Sequence, residues 1–232
     1  MRCSIWRAEE LKEKPGLLPK KLWPSYNPPV FGYDENLLEL LTEQEILLSL
    51  LQEELMVVAV TFNEMLMLPH FLEYYRSLGF SCFIIADNLS NDGIREYPFE
   101  QEDVIQYSAD SQYKSSLSRV AWQQAMLANH CLEKWALVAD IDEFLVYPGS
   151  EEKPLSALTQ ELDRAGHNAV QIFMIDMYPE GSLEEADLSR ASPFAVADYF
   201  DWNAIKTWNL SKGYFSDSIQ YTSSLRHRLS PI

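Results

Sequence analysis

The chain is expected to fold as an α/β protein, with a mainly parallel sheet flanked by helices and preceded by an N-terminal arm and helix. Three observations predict it. Short apolar runs recur: LMVVAVTF from Leu55, SCFIIAD from Ser81 and WALVAD from Trp135. Each run stops at a polar cluster rich in Asp, Asn, Ser or Glu. Segments with helical spacing of apolar residues separate the runs. Strands without polar alternation are covered on both faces, and strands alternating with helices imply βαβ units.

Taken in order, residues 1–34 are punctuated by Pro15, Pro19, Pro24, Pro28 and Pro29 and read as an extended arm or irregular wrap. Residues 35–54, ENLLELLTEQEILLSLLQEE, space leucines between acids and read as one helix or a broken pair. LMVVAVTF, bounded by Asn63, is the first buried strand. Residues 66–78 form a helix with Pro69 in its first turn and Gly79 at its end. SCFIIAD is the second strand, closed by the turn NLSNDG, and DVIQYS is a weaker third. Residues 114–131 form a helix, WALVAD a fourth strand, residues 154–165 a helix begun by Pro154, and NAVQIFMIDMY a fifth strand. Residues 181–232 give no clear helix; Tyr199, Trp202, Trp208 and Tyr214 there suit aromatic loops over a cleft, or edge packing. The expected division is 1–54, arm and amphipathic helix, and 55–232, the α/β domain.

Composition narrows the function classes. With 47% hydrophobic residues in 232, the chain can bury a sizeable core, which excludes global disorder. A net charge of −17 argues against a nucleic-acid partner. In the arm, Arg2, Arg7, Lys12, Lys14, Lys20 and Lys21 outnumber Glu9, Glu10 and Glu13. That bias reads as a solvated arm, or as a weak peripheral contact with the anionic inner face of a membrane. Cys3, Cys82 and Cys131 are widely separated with no Cys-x-x-Cys pair, so neither a thiolate metal site nor a disulfide framework is expected. That pattern suits a reducing compartment. With no apolar leader and no run of about 20 apolar residues, the expected location is cytoplasmic.

Ligands of open parallel sheets bind beyond the carboxyl ends of the strands. Those ends read Thr61-Phe62-Asn63-Glu64, Asp87-Asn88-Leu89-Ser90-Asn91-Asp92-Gly93 and Asp140-Ile141-Asp142-Glu143. Gathered acids repel unless a cation or hydrogen-bond donors lie between them. In extended backbone, Asp140 and Asp142 would project to one face while Ile141 turned into the core. Two carboxylates so placed suit a hard cation that also binds a diphosphate. Each segment also has a purely structural reading: a solvated turn, an Asx-rich turn around Gly93, and a helix cap at Asn63-Glu64.

VVAVTFNEMLMLPHFLEYYRSLGFSCFIIADNLSNDG, WALVADIDEFLVYPG and AVQIFMIDMYPEG, in this order, resemble the family 2-like glycosyltransferases with a GT-A fold. The likeness is to the bacterial subgroup with an Asp-x-Asp-Glu-Phe motif. YTSSLRHRLSP, around His227, is similar to a late segment of that family. The resemblance covers about residues 55–180 well and 204–231 loosely. It implies a GT-A-like sheet and a metal-dependent, inverting transfer of sugar from a nucleotide-sugar donor to a glycan, lipid-linked or other acceptor.

By the same resemblance, Asn63 and Glu64 would line the nucleotide pocket, and Asp87, Asn88, Ser90 and Asp92 would face base and ribose. Asp140 would contact ribose or metal. Asp142, with His227 as a further ligand, would hold Mn²⁺ or Mg²⁺, which stabilises the charge on the leaving diphosphate. Lys114 and Arg119 read as exposed helix cations or as diphosphate contacts. Asp176 is the candidate catalytic base for the acceptor hydroxyl, with Asp198 and Asp201 as alternatives. The region between the Asp-Met-Tyr strand and His227 is shorter than the family's, so an acceptor side that is truncated is expected. Two rival readings are a non-catalytic or degenerate sugar-nucleotide-binding module and a phosphatase of the haloacid dehalogenase type. The phosphatase type also sets Asp-x-Asp after a strand, but Phe144 stands where it usually has Thr or Val.

Overall fold

A computed structural model of the chain describes residues 4–7, 38–109, 119–172, 174–181, 187–189, 191–200, 206–209 and 219–222. These divide into two compact units, one holding what is described up to Ile172 and the other what is described from Met174 onward. The division therefore does not fall at the expected 54/55 boundary.

The first unit is a seven-stranded sheet with helices on both faces. Its elements in chain order are β1 (Ser4–Arg7), β2 (Glu39–Leu40), α1 (Gln44–Leu50), β3 (Leu55–Thr61), α2 (Leu68–Ser77), β4 (Cys82–Asp87), β5 (Val104–Ser108), α3 (Val120–His130), β6 (Trp135–Val138), α4 (Leu155–Arg164) and β7 (Ala169–Gln171). The sheet order is β2-β5-β4-β3-β6-β1-β7. Parallel ladders join β5 to β4, β4 to β3 and β3 to β6. Strand β1 runs antiparallel to both β6 and β7, so five strands share one direction, and β1 and β2 oppose them.

Alternation along the strands builds two cores. Val57, Ala59, Phe83, Ile85 and Leu137 face α2 and α4, meeting Leu68, Phe71, Leu72, Tyr75 and Leu155. Met56, Val58, Val60, Ile84 and Ala86 face α1 and α3, meeting Leu50, Trp122 and Met126. Burial on both faces is why β3 and β4 carry no polar residue before their last positions.

Several expectations are corrected. Ser4–Arg7, read as part of an arm, is a strand inside the sheet. The leucine-rich stretch 35–54 makes strand β2 and a helix of seven residues. The open edge of β5 competes for it: the Leu41 N–H donates to the Gln106 carbonyl at 2.9 Å, and Thr42 Oγ1 accepts the Gln106 N–H at 2.7 Å. The fifth strand spans only Ala169–Gln171, not 168–178. Among the described residues no helix is long and apolar enough to cross a membrane.

The second unit contains α5 (Pro193–Val196), β8 (Lys206–Asn209) and β9 (Ile219–Thr222), the last two paired antiparallel. Tyr178 and Tyr199 exchange both backbone hydrogen bonds, at 2.9 and 3.1 Å. The short helix α5, capped by Ser192, was not expected.

Candidate functional site

Strands β3, β4 and β5 step outward in one direction, and the chain then returns to place β6 on the other side of β3. That reversal is a topological switch point, where the connections leaving neighbouring strands diverge and open a crevice at their carboxyl ends. Thr61–Glu64 leaves β3 there and Asp140–Glu143 follows β6. Asp87 closes β4, level with Thr61 in the parallel register.

The β3 segment bends sharply. Asn63 takes a φ of +55°, a conformation that Asn tolerates better than most residues. Thr61 Oγ1 donates to Glu64 Oε2 at 3.1 Å, which holds the carboxylate back over the strand end. The Glu64 carbonyl accepts the N–H groups of Met67 and Leu68 at 2.9 and 3.0 Å, starting α2.

The β4 segment is stapled to it. The Asn63 N–H donates to Ser90 Oγ at 2.8 Å, the Asn91 N–H to Asn63 Oδ1 at 2.9 Å, and the Met65 N–H to Asp92 Oδ2 at 2.8 Å. Asn88 is spent on structure: its N–H reaches the Thr61 carbonyl at 2.9 Å and its side-chain amide the Ala109 carbonyl at 2.6 Å. Asp87 is buried. Its Oδ1 accepts the Ser90 N–H at 3.2 Å, and its Oδ2 has no hydrogen-bond donor among the described residues. Phe62, Leu66 and Leu89 are exposed around these acids, and Leu89 holds a φ of +61°, which is strained for a bulky side chain.

Strand β6 ends at Val138, and Asp140 opens a turn in which the Glu143 N–H donates to the Asp140 carbonyl at 3.0 Å. Asp140 and Asp142 are therefore not brought together by strand alternation as expected. Ile141 is fully buried, as expected, while Asp142 faces solvent. Glu143 Oε2 accepts the Asp140 N–H at 3.1 Å and closes the turn from its other end. Asp140 Oδ2 pairs with Arg119 Nη2 at 2.7 Å, and its buried Oδ1 has no hydrogen-bond partner among the described residues. Arg119, at a φ of +70° just before α3, is thus the counter-ion of Asp140 and not an exposed cation.

The acids feel one another. Burial pushes the Asp140 carboxyl above the ordinary range; Arg119 pulls it back, and the charge of Asp142 adds to the rise. Burial likewise raises Glu64, against the hydrogen bonds from Thr61 and Phe62, and repulsion from Asp142 and Asp140 raises it further. Glu143 is raised chiefly by burial. Glu64, Asp140 and Asp142 thus form one electrostatic group at the switch point.

Asn63, Glu64, Asp87, Asn88, Ser90, Asp92, Asp140 and Asp142 all fall on these three segments. Asp176 belongs to the second unit and lies outside any strand, as does the alternative base Asp198. His227, Lys114 and Asp201 lie outside the described residues. Among the described residues, no three His, Cys, Asp or Glu side chains form a group that could hold a metal ion. The donor chemistry nonetheless fits a hard cation that completes its shell with phosphate and water. The described candidate ligands, Asp140 and Asp142, offer oxygen; Asp140 Oδ1 is buried without a donor among the described residues, and Asp142 is open to solvent. Sequence reasoning missed Tyr74 and Tyr75, which hold the turn after β6. Adjacent helix positions cannot face one way, so nothing in the spelling Tyr-Tyr marks both as turn contacts. Comparison of the chain with protein-family models, curated proteins and solved structures finds no match.

Proposed function

We propose that the chain is a glycosyltransferase of GT-A type that uses a nucleotide-sugar donor and a divalent cation. The observation that supports it is the convergence of three acidic strand ends on the switch point, with Asp87 Oδ2 and Asp140 Oδ1 buried and lacking donors among the described residues. An acidic crevice with free oxygens calls for a cation and for hydroxyl or N–H donors, and a metal-bound nucleotide sugar supplies both. In this reading Asp140 and Asp142 hold Mn²⁺ or Mg²⁺, which supplies Lewis-acid stabilisation of the departing diphosphate. Asp87 takes a donor group of the base or ribose. Glu64, raised by burial, accepts from a sugar or ribose hydroxyl. Arg119 draws Asp140 toward its ionised form and orients it. The acceptor side belongs to residues beyond the crevice described.

Isothermal titration with UDP, GDP and their sugar conjugates, with and without Mn²⁺, tests the reading beside Asp142→Ala. Metal-dependent binding by the wild type, lost in Asp142→Ala with the fold intact, supports it. Failure of every nucleotide to bind refutes it, and covalent trapping of Asp140 by a phosphate mimic would then favour the phosphatase.

A further inference from the structure

Helix α2 links two parts of the crevice. Its first turn is begun by the Glu64 carbonyl, and its later residues Tyr74 and Tyr75 reach the segment that follows Asp142. The Tyr75 side chain is fully buried, and its hydroxyl is used twice: it donates to the Glu143 carbonyl at 2.9 Å and accepts the Leu145 N–H at 3.0 Å. Tyr74 donates to the Leu145 carbonyl at 2.6 Å. Between these bonds the Phe144 ring lies parallel to Tyr75, with centroids 6.5 Å apart, and edge-on to Tyr74 at 5.2 Å.

Glu143 in turn binds Asp140 from both directions, through its own N–H and through its carboxylate. A displacement of Glu143 is therefore transmitted to Asp140, and to Asp142 between them. A phenylalanine at position 75 would fill the same apolar space without bringing a hydroxyl into the core, where it must be hydrogen-bonded. Packing alone does not call for that hydroxyl.

We infer that Tyr75 is a positioning residue for the donor site, fixing the Asp140–Glu143 turn in the geometry that takes a metal-bound nucleoside diphosphate. This rests on the donor-site reading above. Tyr74 is a secondary fastener on the same strand of backbone.

The test is Tyr75→Phe, compared with wild type, Tyr74→Phe and the core control Ile105→Val, whose side chain is fully buried in the opposite core. Two quantities are read: amide exchange at Leu145, and affinity for UDP and GDP with Mn²⁺. Tyr75→Phe is expected to speed Leu145 exchange and to weaken nucleotide binding by about ten- to a hundred-fold, as loss of an outer support does at metal sites. Tyr74→Phe should lose less, and Ile105→Val should lose neither exchange protection nor affinity. Wild-type affinity in Tyr75→Phe, or an equal loss in Ile105→Val, overturns the positioning role while leaving the donor site standing. If Tyr75→Phe does not fold, wild-type exchange and affinity in Tyr74→Phe overturn it instead. Absence of binding by the wild type overturns the donor-site reading and the role of Tyr75 with it.

Discussion

Replacing Arg119 by Met removes the counter-ion of Asp140 while keeping much of the side-chain bulk. The pair is short, 2.7 Å, with side-chain exposures of 19% and 12%. Removing one member of a buried pair costs about 3–5 kcal/mol, because the other charge is left buried. The residual exposure here points to the lower end, about 3 kcal/mol. For a chain of this size each kcal/mol moves the midpoint by about 2–4 °C, so Arg119→Met should melt about 6–12 °C below wild type at neutral pH. Thermal unfolding of wild type, Arg119→Met, Asp140→Asn and the double variant completes a cycle. The double variant should recover most of the loss, since it leaves no buried charge unpaired.

The pH dependence has a fixed sign. Burial raises the Asp140 carboxyl and Arg119 opposes the rise, so without Arg119 it rises further. A group raised on folding stabilises the fold fully below its unfolded pKa, and that stabilisation is lost as pH climbs through the folded value. The deficit of Arg119→Met should therefore be greatest at neutral pH and shrink as the solution is acidified into the carboxylate range. A variant that melts with wild type at neutral pH, or a cycle without coupling, would refute the assignment of Arg119.

Glu64 is raised by burial and by the neighbouring Asp142 and Asp140, so its ionised form disfavours the fold at neutral pH. Glu64→Gln should raise the thermal midpoint there, and the gain should vanish on acidification as wild-type Glu64 protonates; an unchanged midpoint contradicts the crowding of acids. Cys82 and Cys131 are buried, and burial pushes each thiol up to about 12. Neither should react with a thiol reagent in the native protein at neutral pH, and mass spectrometry should find both labelled only after unfolding.

The strands of the sheet were legible because β3, β4 and β6 are apolar on both faces, a pattern that depends on local composition alone. Strands β1 and β2 were not, because each forms by pairing with an edge or gap that the rest of the sheet creates. Glu39–Leu40 has helical spacing in sequence and becomes a strand only because Gln106 offers it partners. The same distinction runs through the site. Asp87 and Asp140 were legible as polar residues at the ends of apolar runs. Tyr75 was not, since its meaning depends on a turn 68 residues away. Arg119 resembled any cation at a helix start until the fold set it against Asp140.

The two ends of the sheet separate a structural account of these acids from a functional one. At the amino ends of β3, β4 and β6 several polar groups pair with one another. Lys134 Nζ donates to the carbonyls of Leu51 and Glu53, and Ser81 Oγ to the Glu53 carboxylate. At the carboxyl ends Glu64, Asp140 and Glu143 are all raised by burial, and Asp87 and Asp140 each keep a buried oxygen without a donor among the described residues. Asn63, Leu89 and Arg119 hold positive φ there as well, against Glu133 alone of the described non-glycine residues at the amino end. Each of these features opposes folding. Leaving acids buried and short of donors gains the sheet nothing in stability. Such costs persist where a site is preorganised for a ligand, and what Asp87 Oδ2 and Asp140 Oδ1 lack, among the described residues, is a hydrogen-bond donor. On the proposed reading a metal-bound nucleotide sugar supplies a cation and donors, so removing Asp142, which is exposed, should abolish nucleotide binding without lowering the melting midpoint.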